Sequence, residues 1–322
     1  MRLKPYMSLL LSLCLLLSLC PLLSGCGTAE TLAESLTIDG SRLGGRGPQS
    51  ADFVPYETPP FATSEFHAAL AEGNSAVRLD LSALSEGYVA VSVLSEKRLK
   101  FQVLKDDWTY NYDIASDGTP SIFPLQCGDG HYTFRVMENV GDTRYAQIYA
   151  ADCEVTLADE FQPFLRPNDF AHYTVDSECV RKTAELAASC ESQIDIVKAV
   201  YRYVCANISY DTEKAETVKS GYMPDPDETL RTQKGICFDY ASLTAAMLRS
   251  QGIPTKLICG YVAPHDLYHA WNMFYTEESG WVTVSFEVSG QVWTRIDLTF
   301  SAGGATDRFV GDGSHYRDLY SY

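Results

Sequence analysis

Cations are scarce in this chain. It carries 25 Lys and Arg against 42 Asp and Glu in 322 residues, a formal net charge of −17 at pH 7. A nucleic-acid binder needs a basic face to neutralise phosphates, and electrostatic docking on anionic lipid needs one too, so the balance argues against both. Long apolar runs are absent beyond the extreme N-terminus, which argues against a polytopic membrane protein. The ten cysteines include no CxxC pair, so a zinc ribbon or a thioredoxin-type site is not expected. His265 and His269 are four residues apart, but Pro264 and a strand-like continuation oppose a helix, and the glutamate of H-E-x-x-H is missing. Asp106, Asp107, Asp113 and Asp117 lack the Gly and Glu of a calcium-binding EF-hand loop and read as solvated turn residues.

What is present begins with an address. Arg2 and Lys4 precede an apolar stretch over residues 8–19, and Leu23-Ser24-Gly25-Cys26 follows. A positive start, a short apolar centre and small residues before a cleavage point mark a secretory signal peptide over residues 1–25. The last four residues also resemble the lipobox of bacterial lipoproteins. That resemblance implies that Cys26 is lipidated and holds the protein on the extracytoplasmic face of the bacterial cell membrane. Seven other cysteines then remain: Cys127, Cys153, Cys179, Cys190, Cys205, Cys237 and Cys259. An odd number leaves at least one thiol free or paired with another chain.

Residues 26–62 are rich in Gly, Ser, Pro and polar side chains and read as a flexible tether, with a short ordered piece near Phe61. Residues 63–165 form the next unit. Apolar and polar side chains alternate over 76–81, 88–93, 99–104, 132–136, 145–150 and 154–157, with Gly- and Pro-containing turns between them. Short strands at this spacing predict a β-sandwich-like domain, structural or ligand-binding. Residues 166–322 form the last unit, where helical spacing takes over. Asp176 or Ser177 can cap a helix to about Ser189. Gln193–Ala206 places Ile194, Val197, Val200, Tyr201 and Val204 on one face. The chain as a whole reads as α+β.

Chemistry concentrates between Gly235 and Phe300. Cys237 opens a helical stretch that Gly252 and Pro254 end. A thiol in the first turn meets unpaired N–H groups and the positive end of the helix dipole, which favour its thiolate. Gly235 removes a side chain just upstream, which would let a substrate approach. Asp239 would balance charge at the helix start. His269-Ala270-Trp271-Asn272-Met273 reads as a strand with His269, Trp271 and Met273 on one face. Asp297 lies in a third, strand-like segment. Cys as nucleophile, His as base and a carboxylate to orient the His make a catalytic constellation. Gln233 and Trp271 are weaker candidates, as an oxyanion donor and as a wall of the site. Cys259 reads as a core thiol.

These motifs resemble the transglutaminase-like superfamily. Gly235-Ile236-Cys237 matches its G-x-C, His269-Ala270-Trp271 its H-A-W, and Asp297-Leu298-Thr299-Phe300 its D-x-T-aromatic, with Leu298 where bacterial members commonly have Pro. Met273 stands where Glu is frequent. The resemblance implies a papain-like core following the β-sandwich-like domain. It also implies a Cys237–His269–Asp297 triad acting on protein or cell-wall peptide amides, with no cofactor or metal required. The alternative is a non-catalytic surface lipoprotein that binds peptide or cell wall. Two strands, Trp281–Val288 and Gln291–Ile296, are expected between His and Asp. The C-terminal run from Arg308 to Tyr322 is expected to pack back on the core.

Overall fold

The computed structural model describes residues 53–262, 267–276, 280–281, 294–296 and 316–322. The signal peptide, Cys26, Asp297 and most of the expected hairpin before it lie outside the described residues.

Alternation of apolar and polar side chains builds the first half. Strands β1 (Glu72–Gly73), β2 (Val77–Asp80), β3 (Tyr88–Val93), β4 (Leu99–Lys105), β5 (Trp108–Ile114), β6 (Ser121–Pro124), β7 (Gly130–Gly141) and β8 (Arg144–Val155) follow one another. They form two four-stranded antiparallel sheets, ordered β1-β2-β3-β6 and β5-β4-β7-β8. Val77, Leu79, Val89, Phe101, Phe123 and Phe134 from the two sheets share one buried cluster, as the inward faces of a sandwich do. The segments expected at 145–150 and 154–157 fall on one strand as far as Val155, because β8 pairs along the equally long β7, with register shifts at Val136/Met137 and Asn139/Gly141. Strands β5 and β6 were not anticipated. Tyr110 and Tyr112 alternate with polar residues, yet the surrounding acidic turns hide the pattern.

The second half opens with α1 (Glu178–Ala187) and α2 (Gln193–Asn207). The Ser177 side chain does not cap α1. Asp227 accepts from the Glu178 and Cys179 N–H groups, 49 and 48 residues before it, at 2.9 and 2.8 Å. Helix α2 begins as the sequence indicates, with Ser192 accepting from the Asp195 N–H. Then come β9 (Ser209–Tyr210), α3 (Thr212–Thr217), α4 (Pro226–Thr232), β10 (Lys234–Gly235) and α5 (Cys237–Arg249). Helix α5 is buried nearly all round and packs on α1, α2 and a second sheet. That sheet is built from β11 (Thr255–Val262), β12 (Leu267–Thr276), β13 (Gly280–Trp281), β14 (Thr294–Ile296) and β15 (Tyr316–Ser321). The last of these pairs with β11, so the C-terminal run does return to the core.

Residues 53–62, read as the end of a tether, are held against the body. Tyr56 donates its N–H to Cys190 O at 2.9 Å and its hydroxyl to Gln251 O at 3.0 Å. Phe61 meets Tyr173 edge to face at 5.7 Å. Pro59 lies where a Cβ on Gly252 would be, 2.7 Å away, and Gly252 has φ +71°. Both facts require glycine at this helix stop. The buried cluster of the sandwich continues into Ala241 of α5, Leu257 and Cys259 of β11 and Ala270 of β12. The two sequence units therefore share a core, and the site lies along that seam.

Candidate active site

Cys237 is the first residue of α5 and is half-buried. Its position is fixed from behind. Strands β9 and β10 pair in parallel, Tyr210 opposite Gly235, and the Asp211 N–H donates to Gly235 O at 2.9 Å. Tyr240, one turn into α5, donates its hydroxyl to Ile208 O at 2.7 Å. The preceding Ile236 is extended, and its N–H donates to Asp239 Oδ2 at 2.8 Å. The chain therefore turns sharply into the helix and presents Cys237 at a terminus whose N–H groups favour negative charge.

The glycine before the cysteine has a different cause from the one its sequence position suggests. A Cβ on Gly235 would lie 2.6 Å from the Cβ of Asp239. Glycine is needed here because the Asp239 side chain packs against its backbone, not to open a path for substrate.

Asp239 is 0% exposed. Its carboxylate is fully engaged: Ile236 N–H and Lys214 Nζ donate to Oδ2 at 2.8 and 2.7 Å, and the Tyr222 hydroxyl donates to Oδ1 at 2.6 Å. Lys214 Nζ also donates to the Tyr222 hydroxyl at 2.6 Å. Burial, and then the neighbouring Asp239 carboxylate, raise the Tyr222 phenol well above its ordinary range. It stays protonated and keeps donating. A buried carboxylate is tolerable when its lone pairs are filled this way and a cation sits beside it.

His269 lies on β12 and is 4% exposed. Its ring lies 6.5 Å from that of Trp271, nearly parallel at 19°, so the two share a face of the strand as the alternation indicates. Gly260, opposite His269 on β11, makes room for that arrangement, since a Cβ there would lie 2.7 Å from the Trp271 ring. On the other face, Asn272 Nδ2 donates to Ala241 O at 2.9 Å and to Lys256 O at 3.3 Å. This side-chain amide fixes β12 against α5 and so fixes the strand that bears His269 relative to the helix that bears Cys237.

Cys237 and His269 line one cavity of about 560 Å³, within the size range of ligand sites. The walls come from four directions. Tyr112 and Phe123 belong to the sandwich, and Phe170 follows it. Met223 and Tyr222 precede α4, Cys259 and Tyr268 belong to the second sheet, and Tyr322 ends the chain. Tyr112, Phe170 and Tyr322 cluster, with Tyr322 stacked on Phe170 at 3.9 Å and Tyr112 5.6 Å from Phe170. Burial pushes the Cys259 thiol up to about 12, so the cavity's second cysteine stays a thiol across the physiological range.

The sequence-derived candidates separate here. The structure brings Cys237 and His269 together. Gln233 is exposed, holds the left-handed C-terminal position of α4 with φ 55°, and does not line the cavity. Trp271 is buried with Ile258 and Met273 and does not line it either. Asp297 and the lipidation candidate Cys26 lie outside the described residues. The Lys214–Tyr222–Asp239 network and the wall from β5 had no sequence signal beyond the position of Asp239 in the first helical turn.

A thiol at the start of a buried helix, with an imidazole from an adjacent antiparallel sheet opening on the same cavity, is the arrangement that a thiol nucleophile and its base require within an α+β fold. Residues 181–286 match the model of the transglutaminase-like superfamily. Among curated proteins, the chain is 31% identical over 140 residues to kyphoscoliosis peptidase of Mus musculus, covering 40% of this chain and 19% of that protein. It is 25% identical over 227 residues to the uncharacterized protein YebA of Bacillus subtilis, covering 59% of this chain and 31% of that one. The chain thus spans less than a third of either relative. A solved structure from Cytophaga hutchinsonii, described as a candidate cysteine protease, aligns with TM-score 0.39 at 14% identity, over 78% of this chain and 73% of that one.

Proposed function

We propose that the protein is a thiol enzyme that cleaves side-chain carboxamides or peptide amides of protein or cell-wall peptide through a thioester. The observation that carries this is the shared cavity of Cys237, at the first turn of α5, and His269. The Cys237 thiolate attacks the amide carbon. His269, protonated by the thiol, gives that proton to the leaving nitrogen as the C–N bond breaks. Asp297 orients the imidazole and stabilises its cation. The N–H groups at the start of α5 stabilise the oxyanion. An amine or water then resolves the thioester, giving a new amide or an acid.

The first test is selective alkylation. Among the described residues, burial raises five of the six other thiols, Cys153 to about 11 and Cys259 to about 12, with Cys127, Cys179 and Cys190 also shifted upward. Iodoacetamide at pH 6–7 is therefore expected to label Cys237 first, by peptide mass mapping, and His269→Ala is expected to slow that labelling strongly. Labelling of Cys237 no faster than of Cys205, or indifference to His269, rejects the ion pair.

The N-terminal address supports an extracytoplasmic, lipid-anchored location. Metabolic labelling with a radioactive fatty acid is expected to mark the protein and to fail in Cys26→Ala. Incorporation that survives this change refutes the anchor.

A further inference from the structure

Residues 212–223 form one wall of the cavity, contributing Ala215, Val218, Lys219, Gly221, Tyr222 and Met223. Within this stretch every residue is exposed except Lys214 and Tyr222, and α3 buries no side chain at all. The two exceptions are the two side chains that reach Asp239, at 2.7 and 2.6 Å. Lys214 Nζ also lies 4.3 Å over the Tyr222 ring. An ordinary surface segment is held by apolar burial; this one is held by a polar clamp. The clamp's carboxylate also receives the N–H of Ile236, the residue before Cys237. Val218 and Met223 are 38% and 41% exposed, and Tyr268, which lines the same cavity, is 55% exposed. Large apolar side chains left in water around a cavity mouth indicate a bound apolar group.

We infer that segment 212–223 is the specificity wall of this enzyme. Asp239, through Lys214 and Tyr222, is the positioning group that holds it in register with Cys237. Its substrates carry a bulky apolar residue beside the attacked amide, seated between Val218, Met223 and Tyr268. The inference rests on the thiol-enzyme reading for its substrate, but not for the clamp. Tyr222 and Lys214 act through the wall they hold, not on the reacting atoms.

The experiment has two arms. In the first, ammonia release is measured from two glutamine peptides that differ only in Leu or Gly beside the glutamine. The wild type is expected to favour Leu by about tenfold or more in kcat/KM, the scale of discrimination an apolar pocket gives. Val218→Ser with Met223→Ser is expected to abolish that preference. Tyr222→Phe, which keeps the ring and removes the hydroxyl, is expected to raise KM for the Leu peptide about tenfold with kcat within twofold. Equal use of both peptides by the wild type overturns the substrate class while leaving the thiol chemistry standing. Equal loss of kcat on both peptides in Tyr222→Phe overturns the specificity role.

The second arm needs no activity. Trypsin cleavage after Lys214 and Lys219 is expected to accelerate several-fold in Tyr222→Phe while the melting temperature of the whole protein changes little. Unchanged cleavage overturns the clamp. If no peptide is turned over in a Cys237-dependent way, the proposed function falls and the proteolysis arm still decides the clamp.

Discussion

Cys237→Ala is expected to lower amide turnover by about 10³-fold or more, with KM little changed, because a thioester cannot form without the sulfur. Serine at the same position is expected to do little better, since an alkoxide is not reached by an imidazole tuned to a thiol. His269→Ala should cost a comparable factor. The double variant should be no slower than the worse single one, because nucleophile and base act as one unit. Asp297→Asn is expected to reduce kcat by up to about 10⁴-fold if it sets the His tautomer as proposed. The measurement is steady-state ammonia or amine release from glutamine peptides and peptide amides, with each variant's melting temperature as a folding control. Turnover within tenfold of wild type in Cys237→Ala would falsify the mechanism. It would favour the alternative of a peptide-binding module built on the same fold.

Arg249→Met is expected to destabilise the protein by about 3–5 kcal/mol, the range for breaking a buried polar network. Arg249 is 2% exposed. Its guanidinium donates to Thr255 O at 2.9 Å, to Arg166 O at 2.9 Å and to Tyr322 O at 2.7 Å. No Asp or Glu side chain pairs with it among the described residues. Burial lowers its pKa to about 10, still far enough above neutrality to keep the cation. Methionine matches the stem and would relieve the buried charge. It would also remove a donor from the main-chain oxygens of Thr255, Arg166 and Tyr322, of which Tyr322 O keeps the Leu257 N–H at 2.9 Å; a buried oxygen that loses its donor costs about 1–3 kcal/mol, and those losses outweigh the relief. The three carbonyls lie at the start of β11, in the segment leaving the sandwich and at the end of the chain. The variant should therefore loosen β15 first and carry Tyr322 away from the cavity. Urea denaturation reads the stability, and a shift below about 1 kcal/mol would show that the desolvation penalty of the charge had cancelled the hydrogen bonds.

Local signals made much of this protein legible before its tertiary structure. Strand β4 follows the alternation at 99–105, because a half-buried strand must alternate; β2 and β3 lie where the sequence marks strands, although β3 is buried on both faces. Helix α5 begins at Cys237 and stops before Gly252, because a left-handed glycine and a following proline cannot continue it. Cys237 and His269 were recognisable as partners because chain order and neighbouring residues recur with the chemistry. Gly235 was recognised for the wrong reason: the neighbour that forbids a side chain there is Asp239, and only folded coordinates place the two Cβ positions in conflict.

The sequence by itself indicated a part of the elements, among them β4, α2 and α5, and the candidate nucleophile and base, since each rests on periodicity or on residues within one short segment. Tertiary structure alone decided what surrounds them. The cap of α1 comes from Asp227, the partners of Asp239 from Lys214 and Tyr222, and the cavity walls from β5 and the final residue Tyr322. Those contacts join positions tens to hundreds of residues apart. Such pairings leave no period in the sequence; they are set by how the sandwich, α5 and the second sheet pack into one shared core.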